Sequence, residues 1–429
     1  MKMPVVVIGA GPIGLAAAAH LMERGLQPIV LEAGPNVGHA VRRWSHVKLF
    51  SPWENNIDRA AQRLLEPTGW KPPKPSDYPT GGDLVDRYLV PLASKTALHE
   101  HIRTNATVTG VSRVRFGKIM TRGRERAPFE IRYRNGAWED SLIASAVIDA
   151  SGTWFSPNPA GSNGLPAIGE RELQSRISYG MPDVLGRDRS RYEGKHVAVL
   201  GSGHSAIGTL IDLTSLTEKN LRTQVTWLFR GKDLARSFGG RANDRLKARG
   251  ELGLKMEGIS KNSKIAIELG FHVYRIARME DRLGIVAESD GGARQVIVDE
   301  LIVAAGFRPD LSALTEIRIE LDPALECPPA LAPLIDPNEH SCGTVRPHGA
   351  RELAQPEPGF YFAGMKSYGR APTFLMLTGY EQVRSIAAEL AGDSAAARAV
   401  ELVLPQTGVC KVTSSTSVPP AMSARADAG

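Results

Sequence analysis

Cysteine is scarce: three stand in 429 residues, at 327, 342 and 410, and no Cys-x-x-Cys pair occurs. That scarcity excludes a disulfide-built scaffold and fits a reducing compartment. A long unbroken apolar run is also missing. Met3 to Met22 comes nearest, but Gly9, Gly11, Pro12 and Gly14 interrupt it at a spacing that neither a signal peptide nor a membrane helix requires. Charge of one sign is not in excess either, since 52 Lys+Arg against 46 Asp+Glu leave +6. Nucleic-acid binding normally needs a concentrated basic stripe. The basic stretch Arg113–Arg134 alternates like a strand, so it is expected to be a solvated hairpin face. We therefore expect a cytoplasmic chain that engages neither membrane nor nucleic acid. An apolar fraction of 42% is too high for disorder, and the length predicts about two or three domains.

What is present is a nucleotide-binding pattern written twice. Val5-Val-Val-Ile8 reads as a buried strand, followed by Gly9-Ala-Gly11-Pro12-Ile13-Gly14, an Ala-rich helix to Arg24, and a second strand Pro28–Leu31 ending in Glu32-Ala33. Gly9 allows a tight turn, Gly11 lets a pyrophosphate approach the backbone, and Gly14 allows close helix–strand packing. Helix-N-terminal amides then face phosphate, and an acid about 20 residues on can accept hydrogen bonds from a ribose. The second copy runs His196–Leu200, then Gly201-Ser-Gly203-His204-Ser205-Ala206, then Gln224–Phe229. Its second strand ends in Arg230, where a guanidinium can pair with a 2′-phosphate; Lys232, Arg236 and Arg241 follow.

The repeat extends beyond the glycines. Short alternating strands are expected at 107–116 (which includes Val108), 129–134 and 137–142, and again at 271–277, 283–288 and 294–298. Each set leads to an apolar strand ending in glycine: Ala146 to Ser151-Gly152, and Leu301 to Gly306. The fold class is α/β, with two Rossmann-like domains that each carry an antiparallel β-meander.

On these residues the chain resembles the two-dinucleotide-binding-domain flavoproteins, the architecture of class B flavin-containing monooxygenases and, more distantly, of thioredoxin-reductase-like enzymes. The resemblance covers about residues 3–392. It implies FAD in the first unit and NADPH in the second. It also implies domains at 1–155 (FAD, first part), 156–192 (linker), 193–306 (NADPH), 307–392 (FAD, second part) and a flexible tail at 393–429. The chain returns to the FAD domain through Pro358–Gly364 and a helix over about 372–390. Reductases place Asp after the Ala-x-Gly of this segment; here Met365-Lys366 follows. Monooxygenases carry an aromatic-Gly linker signature, matched by Tyr179-Gly180 without its usual histidine; Met181 or Asp183 stands there instead. Ser341–Thr344 and Pro347-His348 resemble segments of flavoproteins from arsenic-resistance operons.

The function implied is an NADPH-consuming monooxygenase that uses O2 and a flavin C4a-peroxide to oxygenate a small nitrogen or sulfur nucleophile or a carbonyl compound. An NADPH-dependent reductase of a disulfide, quinone or metalloid is the alternative, and a flavin-binding redox sensor is a third reading. A homodimer stays open. The cofactor-facing insertion 39–100 is expected as loops carrying Trp44, Ser51, Trp53 and Asn55, with a helix over 84–93; the resemblance implies an asparagine that supports oxygenated flavin, with Asn55 and Asn56 both near that position and Asn55 taken for it. Lys366, Tyr368, Arg370 and Thr373 are expected beside the flavin ring, the first three as catalytic groups. Cys342 and Cys410 are expected to be inert.

Overall fold

The computed structural model describes residues 3–239, 247–261, 265–288, 292–339, 345–372 and 374–402. Four buried β-branched residues make β1 (Val5–Ile8). Helix α1 (Pro12–Glu23) opens with proline at its first position and buries Ile13 to Leu21 almost without interruption. So many alanines suit a helix covered on both flanks, by its own sheet and by a later helix. Gly25, at φ +65°, turns the chain into β2 (Pro28–Leu31). The insertion that follows is more helical than expected. It contains short helical turns at His39–Arg42, Trp53–Asn55 and Gly81–Leu84, and helix α2 (Arg59–Leu65) capped by the Asp58 carboxylate. A π-turn (Val85–Leu89) and the helix Val90–Lys95 complete it.

Next come β3 (Ile102–Arg103) and the meander β4 (Ala106–Arg113), β5 (Phe129–Asn135) and β6 (Trp138–Ala144), then β7 (Ala146–Asp149). The second half supplies β8 (Ile177–Tyr179), β9 (His196–Leu200), α3 (His204–Lys219), β10 (Gln224–Phe229), α4 (Lys247–Lys261) and β11 (Ala266–Leu269). Its meander is β12 (His272–Met279), β13 (Arg282–Glu288) and β14 (Arg294–Val298), followed by β15 (Glu300–Val303). The chain ends its described course with β16 (Phe360–Phe362), α5 (Met376–Leu390) and a short helix at Ser394–Arg398.

The two halves have one design. Parallel sheets run in the orders β16-β7-β1-β2-β3 and β11-β10-β9-β15-β8, each beside a three-stranded antiparallel meander. The expected α/β repeat is present. In each sheet the order reverses beside the glycine-bearing first strand, at β1/β7 and β9/β15, and such switch points open a crevice at the strands' carboxyl ends. Strand β8 comes from the segment read as a linker and pairs with β15, so that segment is built into the second sheet.

The basic stretch differs from expectation. Arg113 and Arg124 are buried and both hold the Glu357 carboxylate, at 2.8 Å each, which ties the first meander to the chain entering β16. Charge alternation hid a buried three-member ion cluster because its acid lies more than 200 residues away.

Candidate functional site: two nucleotide cradles and an interdomain cavity

The six glycine-motif positions behave as two matched sets. Gly9 has φ +97°, and a Cβ there would meet the Ala150 carbonyl oxygen at 2.9 Å. Gly201, at φ +143°, sits against the equivalent carbonyl of Ala304. These glycines are needed because another strand's backbone passes behind them. The second glycines are the opposite case: a Cβ on Gly11 or Gly203 would meet nothing within 4 Å, so each projects into open space over a helix N-terminus. At the third position a Gly14 Cβ would overlap the Gly9 carbonyl oxygen, whereas Ala206 is fully buried and tolerated. Neither α1 nor α3 has a side-chain cap or an acid in its first turn, so the first amides of both remain open to an anion.

Beside the first cradle, the buried Glu32 carboxylate accepts from Ala10 N at 2.7 Å and Gly34 N at 2.8 Å. Ala33 is exposed next to it. Strand β4 is anchored there by Ala106 N donating to Glu32 O at 2.8 Å, which sets half-buried Val108 near the acid. Pro12 begins α1, and Ile13 packs under the returning chain, where a Cβ on Gly364 would meet Ile13 Cγ1 at 3.1 Å. The strand-end glycines Gly152 (φ +72°) and Gly306 (φ +84°) occupy matching places, with Ser151 just before the first. Beside the second cradle Arg230 is exposed and donates from Nη1 to Ser162 O at 3.2 Å.

Between the halves lies a cavity of about 760 Å³. One side comes from the second cradle, Leu200 to Ser205, with Arg230 and Gly306. The other comes from the returning chain and the start of α5: Met365, Tyr368, Arg370 and Phe374 to Met376. The segment Val47–Ser51 closes it, with the Phe50 ring 5.2 Å from His204. Phe307 lines the cavity and stacks on Trp154 at 4.8 Å. Burial raises the Tyr368 phenol above its ordinary range, against a hydrogen bond with the Thr378 side chain, so it stays protonated.

Several expected site residues lie elsewhere. Lys366 is buried away from the cavity, with Nζ 2.6 Å from Asp149 and 3.0 Å from Ser151 Oγ, so its charge is spent on structure. Asn55 and Trp53 face a second cavity of about 550 Å³ behind the segment, beside His20 and Asp58. Trp53 is a core residue under the Arg87 guanidinium. Trp44 packs against Gly81 and lies 6.4 Å from Trp154 without lining the cavity. The neighbouring Asn56, not Asn55, does the local work. Its amide accepts from Ser51 Oγ at 2.8 Å and donates to the carbonyls of Ser51 and Pro52, fixing the closing segment. Tyr179 does not face a cofactor cradle directly through its hydroxyl, which donates to buried Glu170 at 2.6 Å. The Asp183 carboxylate caps the amides of Gly186 and Arg187.

Thr373, Arg241, Cys342 and Cys410 lie outside the described residues. Cys327 is buried, and burial pushes its thiol up to about 12. Sequence reasoning missed Arg249, in the first turn of α4, which lines the cavity. Nothing local distinguishes it from other helix arginines. No helix among the described residues is long and apolar enough to cross a membrane, and they hold no cluster of three metal-ligating side chains.

Two dinucleotide cradles of one design, the second of them opening on a cavity between the halves, are the architecture of a two-domain flavoprotein of the oxidoreductase class. Residues 6–330 match the family "Pyridine nucleotide-disulphide oxidoreductase", and the chain belongs to it. This class uses FAD and NADPH. An indole-3-pyruvate monooxygenase of Oryza sativa subsp. japonica is 29% identical over 212 residues, 48% of this chain and 44% of that protein. A ferredoxin–NADP reductase of Granulibacter bethesdensis is 24% identical over 324 residues, 74% of each. The chain thus spans under half of the rice protein. Among solved structures, a bacillithiol disulfide reductase of Bacillus cereus superposes with a TM-score of 0.67 at 20% identity, covering 91% of this chain and 99% of that one.

Proposed function

We propose that the chain is an FAD-dependent, NADPH-consuming monooxygenase acting on a small nitrogen or sulfur nucleophile or a carbonyl compound. The observation that carries this reading is the shared cavity: the open end of the second cradle and the start of α5 line one space. A nicotinamide held by the second cradle and a flavin ring held under the start of α5 would both face this space. FAD, when bound, supplies two-electron chemistry between NADPH and O2. The open faces of Gly11 and Gly203 fit the two pyrophosphates, which a Cβ at either place would obstruct. Glu32 would hold the FAD ribose, between Ala33 and Val108, and Arg230 would pair with the NADPH 2′-phosphate.

The other lining residues supply exclusion and orientation. Leu49, Phe50, Phe307, Phe374 and Met376 give the cavity apolar walls that keep water from the reacting atoms. Arg370 offers a fixed positive charge at the end lined by Tyr368. The monooxygenase relative supports oxygen as acceptor. The reductase reading draws on the even 74% coverage of the ferredoxin–NADP reductase. Oxygen dependence separates them. A monooxygenase loses substrate-stimulated NADPH oxidation under argon, whereas a reductase keeps it with ferredoxin or a disulfide as acceptor.

A further inference from the structure

The interdomain cavity is electrically one-sided. Among the described residues its lining carries Lys48, Arg230, Arg249 and Arg370, and no Asp or Glu. Helices α3 and α5 both open into it through their N-terminal ends, and neither has an acid in its first turn. Both macrodipoles therefore add positive potential. The four cations lie on different elements. Arg230, following β10, and Arg249, in the first turn of α4, belong to the second cradle, where nucleotide phosphates match them. Arg370, between β16 and α5, belongs to the opposite end with Tyr368 and Phe374, while Lys48 stands on the closing segment with its ammonium 5.8 Å from the Tyr78 ring. Arg370 stands apart from the second cradle, on the returning chain.

Building on the monooxygenase reading above, we infer that the substrate is a small acid, with an apolar body against the aromatic walls and a carboxylate or similar anion held by Arg370. Arg370 suits the role because Glu326, which is not part of the lining, takes only one edge of its guanidinium, Nη2 at 2.7 Å. A guanidinium carries five donors, so others remain for a ligand. An ammonium substrate would be desolvated here among like charges with no carboxylate to receive it, a costly arrangement. The site therefore selects against cationic amines.

The test uses FAD-loaded protein saturated with NADP+ under argon, so that nucleotide occupies the second cradle and no turnover occurs. Two probes share one body, (phenylthio)acetate and 2-(phenylthio)ethylamine, and flavin absorbance reports binding of each at neutral pH. The acid is expected to bind at least about tenfold more tightly than the amine. Arg370→Gln should weaken the acid by about fivefold to tenfold without weakening the amine. Glu326→Gln, which removes a competing partner from Arg370, should tighten the acid, a change that a merely structural residue would not produce. Equal or tighter amine binding, or no binding of either probe at millimolar concentration, overturns the inference. Since binding is read without oxygen, acid selectivity together with no oxygen transfer in air would instead count against the monooxygenase reading alone.

Discussion

Lys366 Nζ lies 2.6 Å from Asp149 Oδ2, with both side chains buried, and this pair joins the end of β7 to the chain returning from β16. Asp149 also accepts from the amide and hydroxyl of Ser151, which fixes the turn before Gly152. The pair belongs to the frame of the first cradle, not to the cavity. Lys366→Met strands a buried carboxylate, and breaking such pairs costs about 3–5 kcal/mol. Urea unfolding should show that loss. A variant of unchanged stability that has lost turnover would make Lys366 catalytic after all.

The glycine set predicts two different failures. Gly11→Val should give folded protein that no longer retains FAD, because the side chain enters open space needed by pyrophosphate. Gly14→Val should fail to fold, because its Cβ would overlap the Gly9 carbonyl. Circular dichroism and flavin content after purification distinguish the two. Flavin retention in folded Gly11→Val would remove pyrophosphate from this cradle.

Arg230 is exposed at the second cradle, with one weak bond to Ser162 O. Hydrogen bonds to charged groups contribute about 1.5–3 kcal/mol, so Arg230→Ala should weaken NADPH by about tenfold to a hundredfold and spare NADH. Titration with both nucleotides checks this. Equal loss for both would make Arg230 a structural residue.

A pH effect follows from His348. Burial holds its imidazole below the ordinary 6.5, against the opposing Arg346 carbonyl bond and the charge of Glu352. Nδ1 donates to Arg346 O at 3.0 Å, and Nε2 accepts from Gln382 Nε2 at 2.8 Å. The same Gln382 nitrogen donates to Ser367 Oγ, and Gln382 Oε1 accepts from Gly364 N. Protonation would set two donors face to face. The unfolded chain takes up the proton first, so this contribution is intact above pH 6.5 and is lost as pH falls below it. Unfolding free energies should fall by at most about 1.4 kcal/mol per pH unit from this group, and His348→Asn should remove that part of the slope. An unchanged slope contradicts the neutral ring.

The parts of this design that are local in sequence were legible in it. The glycine spacings, the acid after β2, the arginine after β10 and both meanders each express themselves within a few residues. What escaped depends on partners far along the chain. Lys366 reads as a free cation until Asp149 is seen 217 residues away, and the same distance effect hid Arg113 and Arg124. Asn55 and Asn56 are adjacent in a single turn, yet one faces the rear cavity and the other clamps Ser51. Periodicity does not resolve a one-residue choice in an irregular segment. Arg249 reached the cavity only through the docking of α4.

The most direct test of the proposed function is the origin of the oxygen atom in a product. FAD-loaded protein, NADPH and thioanisole, a neutral sulfide independent of the acid inference, are incubated under 18O2 in unlabelled water. Mass spectrometry should find one labelled oxygen in the sulfoxide, with one NADPH consumed for each product in the coupled fraction. Unlabelled sulfoxide, or NADPH oxidation that continues under argon with ferredoxin or a disulfide and yields no sulfoxide in air, would contradict oxygen insertion and leave a reductase.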